Sequence, residues 1–83
     1  MLEDWILRKK EVEASKSKLR GIDLSNAKLM GAKLGGADLT QADLSSAYLI
    51  KADLSKASLV EADLTQAVLS EANLSDADLE GAE

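Results

Sequence analysis

Leucine recurs every five residues along most of the chain. It occupies positions 19, 24, 29, 34, 39, 44, 49, 54, 59, 64, 69, 74 and 79 without a gap, and no Leu after Leu19 leaves that register. Ala stands two residues ahead of each Leu from Leu29 onward; Ile22 takes that place before Leu24, and Ala82 begins a further unit. The unit is Ala-x-Leu-x-x. On an α-helix five residues advance about 500°, roughly 140° past a full turn, so these Leu would spiral around the surface and form no stripe. On a strand, residues two apart share a face, which suits Ala and Leu within one unit. The next Ala comes three residues after the Leu, on the wrong face of a straight strand. The backbone must therefore bend once per unit.

Residue chemistry locates the bend at the two positions after each Leu. Gly21, Gly31, Gly36 and Gly81 stand at the second of them, and Ser or Thr fills the first in seven of the twelve units from Leu24 to Leu79. Gly permits positive φ, and Ser or Thr can bond the local backbone of a turn. The pattern predicts three extended residues and a corner, repeated into a polygonal coil with Leu and Ala inside.

Residues 19–83 resemble the pentapeptide-repeat family, whose consensus is Ala-(Asp/Asn)-Leu-x-x. Ala37-Asp38-Leu39-Thr40-Gln41 and Ala72-Asn73-Leu74-Ser75-Asp76 match it in full. The resemblance implies an all-β solenoid, a right-handed quadrilateral β-helix with four units per coil. Twelve units then give about three coils, roughly 15 Å tall at the strand spacing. One departure is that the family often places Phe at the central inward position, where this chain always has Leu. The expected organisation is a helical cap over residues 1–18 and a pentapeptide-repeat β-helix over residues 19–83.

A solenoid exposes backbone edges and apolar side chains at both ends, and terminal repeats normally carry caps. Leu2, Trp5, Ile6 and Val12 fall within one stripe at helical spacing, and Lys9 can lay its methylenes along it. These four are the expected capping residues. A partner-binding or membrane-surface helix is the alternative use of the stripe, and Leu7, on the opposite face, has no assigned role. After Leu79 only Glu80, Gly81, Ala82 and Glu83 follow, so either the chain is cut from a longer protein or the last coil is bare and guarded by charge.

Asp76, Asp78, Glu80 and Glu83 would discourage another edge from docking there, which gives the charge gradient a structural reading. The net charge of −5 divides unevenly. Residues 1–20 hold six bases and four acids, residues 21–60 balance, and residues 61–83 hold seven acids and no base. A net-acidic chain with one Trp, one Tyr and no Phe lacks both the charge and the stacking platforms that nucleic acids require. Direct nucleic-acid binding is not expected.

The absence of Cys and His removes disulfides, thiolate chemistry, Ser-His catalysis and the usual zinc sites. The Ser and Thr residues therefore read as turn residues, Lys28 and Lys33 as isolated surface charges, and Gly35-Gly36 as a corner. With four units per coil, Asp23, Asp43 and Asp63 stack on one face. That ladder reads as a solvated face with local backbone bonds, against the sharper readings of a cation site or a phosphate mimic. A convex wall without a pocket gives a carboxylate pair no active site. No cofactor, metal site or catalytic residue is expected, and the chain reads as no enzyme. No apolar run reaches the ~20 residues of a membrane span, and the acidic start, unlike a secretory signal, suggests the cytoplasm.

The functional expectation is a non-enzymatic structural or protein-interaction scaffold, monomeric or weakly homo-oligomeric, with a protein partner. The alternatives are an acidic DNA mimic that binds a DNA-handling enzyme such as DNA gyrase, as some members of the family do, or a minimal or engineered solenoid with no ligand. The expected protein-binding patch lies on the wall that carries Leu29, Leu49 and Leu69. There Met30, Tyr48, Ile50 and Val68 are apolar at outward positions, whereas the other walls are almost wholly polar apart from Val60.

Overall fold

The computed structural model describes residues 4–83; Leu2, one of the expected capping residues, lies outside them. From Leu19 onward the backbone pairs with itself every twenty residues. Asp23 bridges Asp43 and Asp43 bridges Asp63, always parallel, and the same step joins Lys28 to Tyr48 and Val68, Lys33 to Asp53 and Asn73, and Asp38 to Ser58 and Asp78. Twenty residues hold four units, so the coil has four walls and residues 19–83 make about three turns.

Within each wall, successive coils meet through one bridging residue per unit. Among the described residues no consecutive residues form a strand, so the three extended residues expected per unit reduce to one. The unit around Leu44 shows why this suffices. The Asp43 amide donates to Ile22 O in the coil before, and the Leu44 and Ser46 amides donate to Asp63 O and Thr65 O in the coil after, each at 2.8 Å. The Ala47 amide closes the corner on Leu44 O at 3.0 Å. The fifth amide, of Ser45, donates to Asp43 Oδ1 at 3.0 Å. Every backbone donor of the unit has a partner, as burial against neighbouring coils requires.

The corner sits where the residue types place it. All four glycines at the second position after Leu have positive φ, and so do nine other residues in the same position, from Asn26 to Asp76. The left-handed region costs a side-chain-bearing residue about 1–2 kcal/mol. Gly31 (φ 68°) avoids that cost, while Lys51 (φ 61°) in the next coil bears it. The corner amide of Lys51 is held by Ser70 O at 2.9 Å, so the coil around it fixes the conformation.

Leu19 through Leu59 are 0–1% exposed, and the Ala residues from Ala32 to Ala62 line the same column. Leu64, Leu69 and Leu74 are only partly buried and Leu79 is 41% exposed. The sequence pattern treats all thirteen Leu alike, but the last four have no coil above them. The column is covered at one end only.

The covered end carries helix α1 (Asp4–Ala14), followed by a short 3-10 turn over Lys16–Lys18. Val12 is buried against the coil, Trp5 and Ile6 are half-buried, and Leu7 is exposed on the opposite face. Polar groups complete the contact. Arg8 Nη2 donates to Asp23 O at 3.0 Å and Lys9 Nζ to Met30 O at 3.1 Å. The Lys33 amide donates to Glu13 Oε2 at 2.7 Å, and the Asp38 amide to Lys16 O at 2.8 Å. These are edge groups of the first coil that have no earlier coil to pair with. The helix offers cations to the carbonyls and a carboxylate to an amide.

Candidate interaction surface

Two kinds of unit make up the coil, and their difference defines the surface. In the first kind, Asp or Asn precedes Leu and Ser or Thr follows it. Asp23 Oδ1 accepts from both the amide (3.0 Å) and the hydroxyl (2.7 Å) of Ser25. Asp38 with Thr40, Asp43 with Ser45, Asp53 with Ser55, Asp63 with Thr65 and Asn73 with Ser75 repeat the arrangement. In the pair nearest the core, Thr40 Oγ1 also meets Ser58 Oγ at 2.9 Å. The Asp ladder of residues 23, 43 and 63 is thus occupied in building corners, and among the described residues no three acids converge on a point that could hold a metal ion.

The hydroxyl and amide bonds from the following Ser or Thr hold the carboxyls of Asp23, Asp38, Asp53 and Asp63 below the usual Asp range. A carboxylate whose folded value is depressed stabilises the fold fully at neutral pH and loses that effect as pH falls below about 4, through the lowered value. Asn keeps the accepting Oδ1 without the proton equilibrium, as Asn73 already does. The double variant Asp53→Asn/Asp63→Asn is therefore expected to lose less melting temperature between pH 7 and pH 3 than the parent, followed by circular dichroism. An equal loss would show that these carboxylates do not govern the acid limb.

In the second kind of unit the residue before Leu is not Asp or Asn. The Lys28–Tyr48–Val68 column is the long run of this kind, and its three residues bridge in register. Both faces of Tyr48 are anchored: its amide donates to Ala27 O at 2.8 Å and its carbonyl accepts from Leu29 at 2.8 Å. The side chains of Tyr48 and Val68 stand out of the wall, 44% and 37% exposed. Met30 and Ile50 belong to the neighbouring corner column and are half-buried. The Gly31 amide donates to Ile50 O and the Lys51 amide to Ser70 O, which sets Met30, Ile50 and Ser70 one above another. The surface available on this wall is therefore Tyr48 and Val68, backed by Met30 and Ile50. Beside it Lys51 Nζ and Glu71 Oε1 lie 4.0 Å apart, both largely exposed, a pair that contributes little to stability.

Sequence reasoning missed a concavity beside the helix. Trp5, Arg8, Asp23, Asn26 and Lys28 line an open groove of about 720 Å³ between α1 and the first coil. Lys9 Nζ stands 5.7 Å from the centre of the Trp5 ring, within cation–π range. The partners of Arg8, Lys9 and Glu13 have no signal in the five-residue pattern, because they are backbone groups of the coil.

A family model for pentapeptide repeats matches residues 11–45 and 47–83, with 8 copies. The chain belongs to the pentapeptide-repeat family. Members of the family fold as right-handed quadrilateral β-helices, and the four-walled, twenty-residue coil has the corresponding wall count. Among solved structures, a pentapeptide-repeat protein of the Arabidopsis thaliana thylakoid lumen is 32% identical with a TM-score of 0.45, over 84% of this chain and 57% of its own. One from the cyanobacterium Cyanothece 51142 is 37% identical with a TM-score of 0.40, over 78% of this chain and 39% of its own. One from Nostoc PCC 7120 is 32% identical with a TM-score of 0.35, over 93% of this chain and 73% of its own. The chain spans well under two thirds of the first two of these structures. A search of curated proteins gives no match. As a pentapeptide-repeat protein the chain uses the family's Asp/Asn position to build corners, and where Tyr48 or Val68 replaces that residue the side chain is exposed on the wall. No helix among the described residues is long and apolar enough to cross a membrane.

Proposed function

We propose that this pentapeptide-repeat protein is a non-enzymatic interaction scaffold, wound right-handed as the family implies, that presents the Lys28–Tyr48–Val68 wall to a protein partner. The observation that carries the reading is the exposure of Tyr48 and Val68 in one rigid column, where neighbouring walls hold Asp or Asn closed onto a corner. Tyr is a favoured anchor residue, since it buries a large ring at small entropic cost and keeps a polar tip. A rigid wall also removes most of the ordering cost of binding. A catalytic role has no comparable support, because the carboxylates that could serve it are spent as acceptors in turns. The expected consequence is that Val68→Glu keeps its melting temperature within a few degrees, because the side chain points away from the Leu column. In affinity capture from the native host, the polypeptide retained by the parent should be lost with Val68→Glu. Retention of the same polypeptides by both would remove this wall as the binding surface.

A further inference from the structure

The Lys28–Tyr48–Val68 wall and its two flanking corners carry their side chains in a particular order. Tyr48 stands in the middle coil, with Lys28 one coil before it and Val68 one coil after it. The corner on one side stacks Asn26, Ser46 and Gln66, since the Asn26 amide donates to Ser45 O and the Ser46 amide to Thr65 O. The corner on the other side stacks Gly31, Lys51 and Glu71 in the same way. Asn26, Lys28, Gln66 and Glu71 are all exposed. Among the described residues the side chains of Asn26, Lys28 and Gln66 have no hydrogen-bond or ion-pair partner, and Glu71 has only the 4.0 Å approach of Lys51. Of the four bridging columns, this one alone contains no Asp or Glu.

We infer that this face binds the same face of a second copy, the two solenoids antiparallel about a two-fold axis that passes between their Tyr48 rings. The inference rests on the reading of this wall as the contact surface and names its partner. A two-fold contact pairs unlike positions reciprocally, so each pairing occurs twice. Here the first coil of one copy lies opposite the third coil of the other, with like corners on the same side. Lys28 then lies opposite Val68 and beside Glu71 of the second copy, so its methylenes cover the valine while its ammonium meets the carboxylate. Gly31 leaves room for that Glu71, because nothing lies within 4 Å of where a Cβ would stand. On the other corner Asn26 lies opposite Gln66, two amides that each donate and accept. The Tyr48 rings meet at the axis, where an aromatic pair adds to the area buried.

Charge selects this orientation. A parallel pairing would set Lys28 against Lys28, and like charges across a contact oppose association. The Asp23–Asp43–Asp63 wall cannot pair with itself in either sense, because three acids would face three. Three coils at the strand spacing give a face about 15 Å tall, so each copy buries less than the roughly 800 Å² of a standard interface. The dimer is accordingly weak, with a dissociation constant on the order of 0.1 mM, and it closes at two copies.

Sedimentation equilibrium of the 83-residue protein at concentrations up to ~1 mM tests the inference. The parent should show monomer and dimer and nothing larger. Lys28→Glu sets carboxylate against carboxylate at both Glu71 contacts, and Glu71→Lys sets ammonium against ammonium. Each variant alone should therefore associate about tenfold more weakly than the parent, or worse. An equimolar mixture of the two restores both opposite-charge contacts and should dimerise at least as tightly as the parent. Mixing cannot repair a misfolded chain, so the recovered dimer also shows that both variants are folded. Tyr48→Glu places two carboxylates at the axis and should be monomeric with its melting temperature within a few degrees of the parent. A parent that stays monomeric at ~1 mM, a mixture no tighter than its components, or a Tyr48→Glu protein that dimerises like the parent would each overturn the inference. If the parent is monomeric while Val68→Glu loses a captured polypeptide of another sequence, self-association falls and the wall remains a surface for that other protein.

Discussion

Leu49→Ala is expected to cost about 2–5 kcal/mol of unfolding free energy, the range for emptying a buried Leu site that cannot collapse. Leu49 lies in the middle coil, fully buried, with Leu29 before it and Leu69 after it in the same wall. Its own amide and that of the corner beyond it are fixed to the next coil by bonds of 2.8 and 2.9 Å, so the backbone cannot move in to fill the void. The opposite change at a neighbouring inward position, Ala52→Leu, should cost ~1–3 kcal/mol by overpacking. Leu79→Ala provides the control. That side chain is 41% exposed at the open end, so its loss should be a small fraction of the Leu49 effect. Urea unfolding resolves the difference, and equal effects at Leu49 and Leu79 would contradict an enclosed column.

Deleting residues 1–16 should have the second large effect. It removes Val12 from the core and strips four partners from the first coil: Arg8 from Asp23 O, Lys9 from Met30 O, Glu13 from the Lys33 amide and the Lys16 carbonyl from the Asp38 amide. Leu19 and Leu24 are then uncovered together with an unpaired backbone edge, the combination that promotes edge association. The shortened protein is expected to precipitate or to form large oligomers, with a lowered melting temperature. Trp5 reports on the helix in the intact protein. Half-buried and facing the Lys9 ammonium, it should emit at shorter wavelength than free indole. A monomeric deletion variant together with solvent-like Trp emission would show that α1 does not cover the coil.

The inward column and the corners were legible in the sequence because each depends on local spacing. Leu every five residues excludes a helix and demands a bend, and Gly31 or Gly36 marks where positive φ is needed. The number of walls was available only through the family resemblance, since nothing in Ala-x-Leu-x-x sets the angle of each corner. Lys51 and Glu71 in left-handed backbone had no local signal; their propensity is overridden by coils stacked twenty residues away. The pairing of Asp23 with Ser25 was available in principle, as an acid two residues ahead of a hydroxyl in unit after unit. The roles of Arg8 and Glu13 were hidden because their partners are backbone groups brought near only by the fold.

Residue-resolved amide hydrogen exchange tests the twenty-residue coil most directly. In the middle coil the amides of Tyr48, Leu49, Lys51 and Ala52 donate to backbone carbonyls, while the Ile50 amide has no partner among the described residues. The Ser55 amide, in a unit where Asp53 supplies Oδ1, is bonded at 3.0 Å. The account predicts a protection pattern with a period of five in which Ile50 exchanges fastest within its unit and Ser55 more slowly than Ile50. It also predicts that protection decays across the last coil, where Leu69, Leu74 and Leu79 amides are free. Protection that is uniform along the unit, or that is as strong at Leu74 as at Leu49, would contradict it.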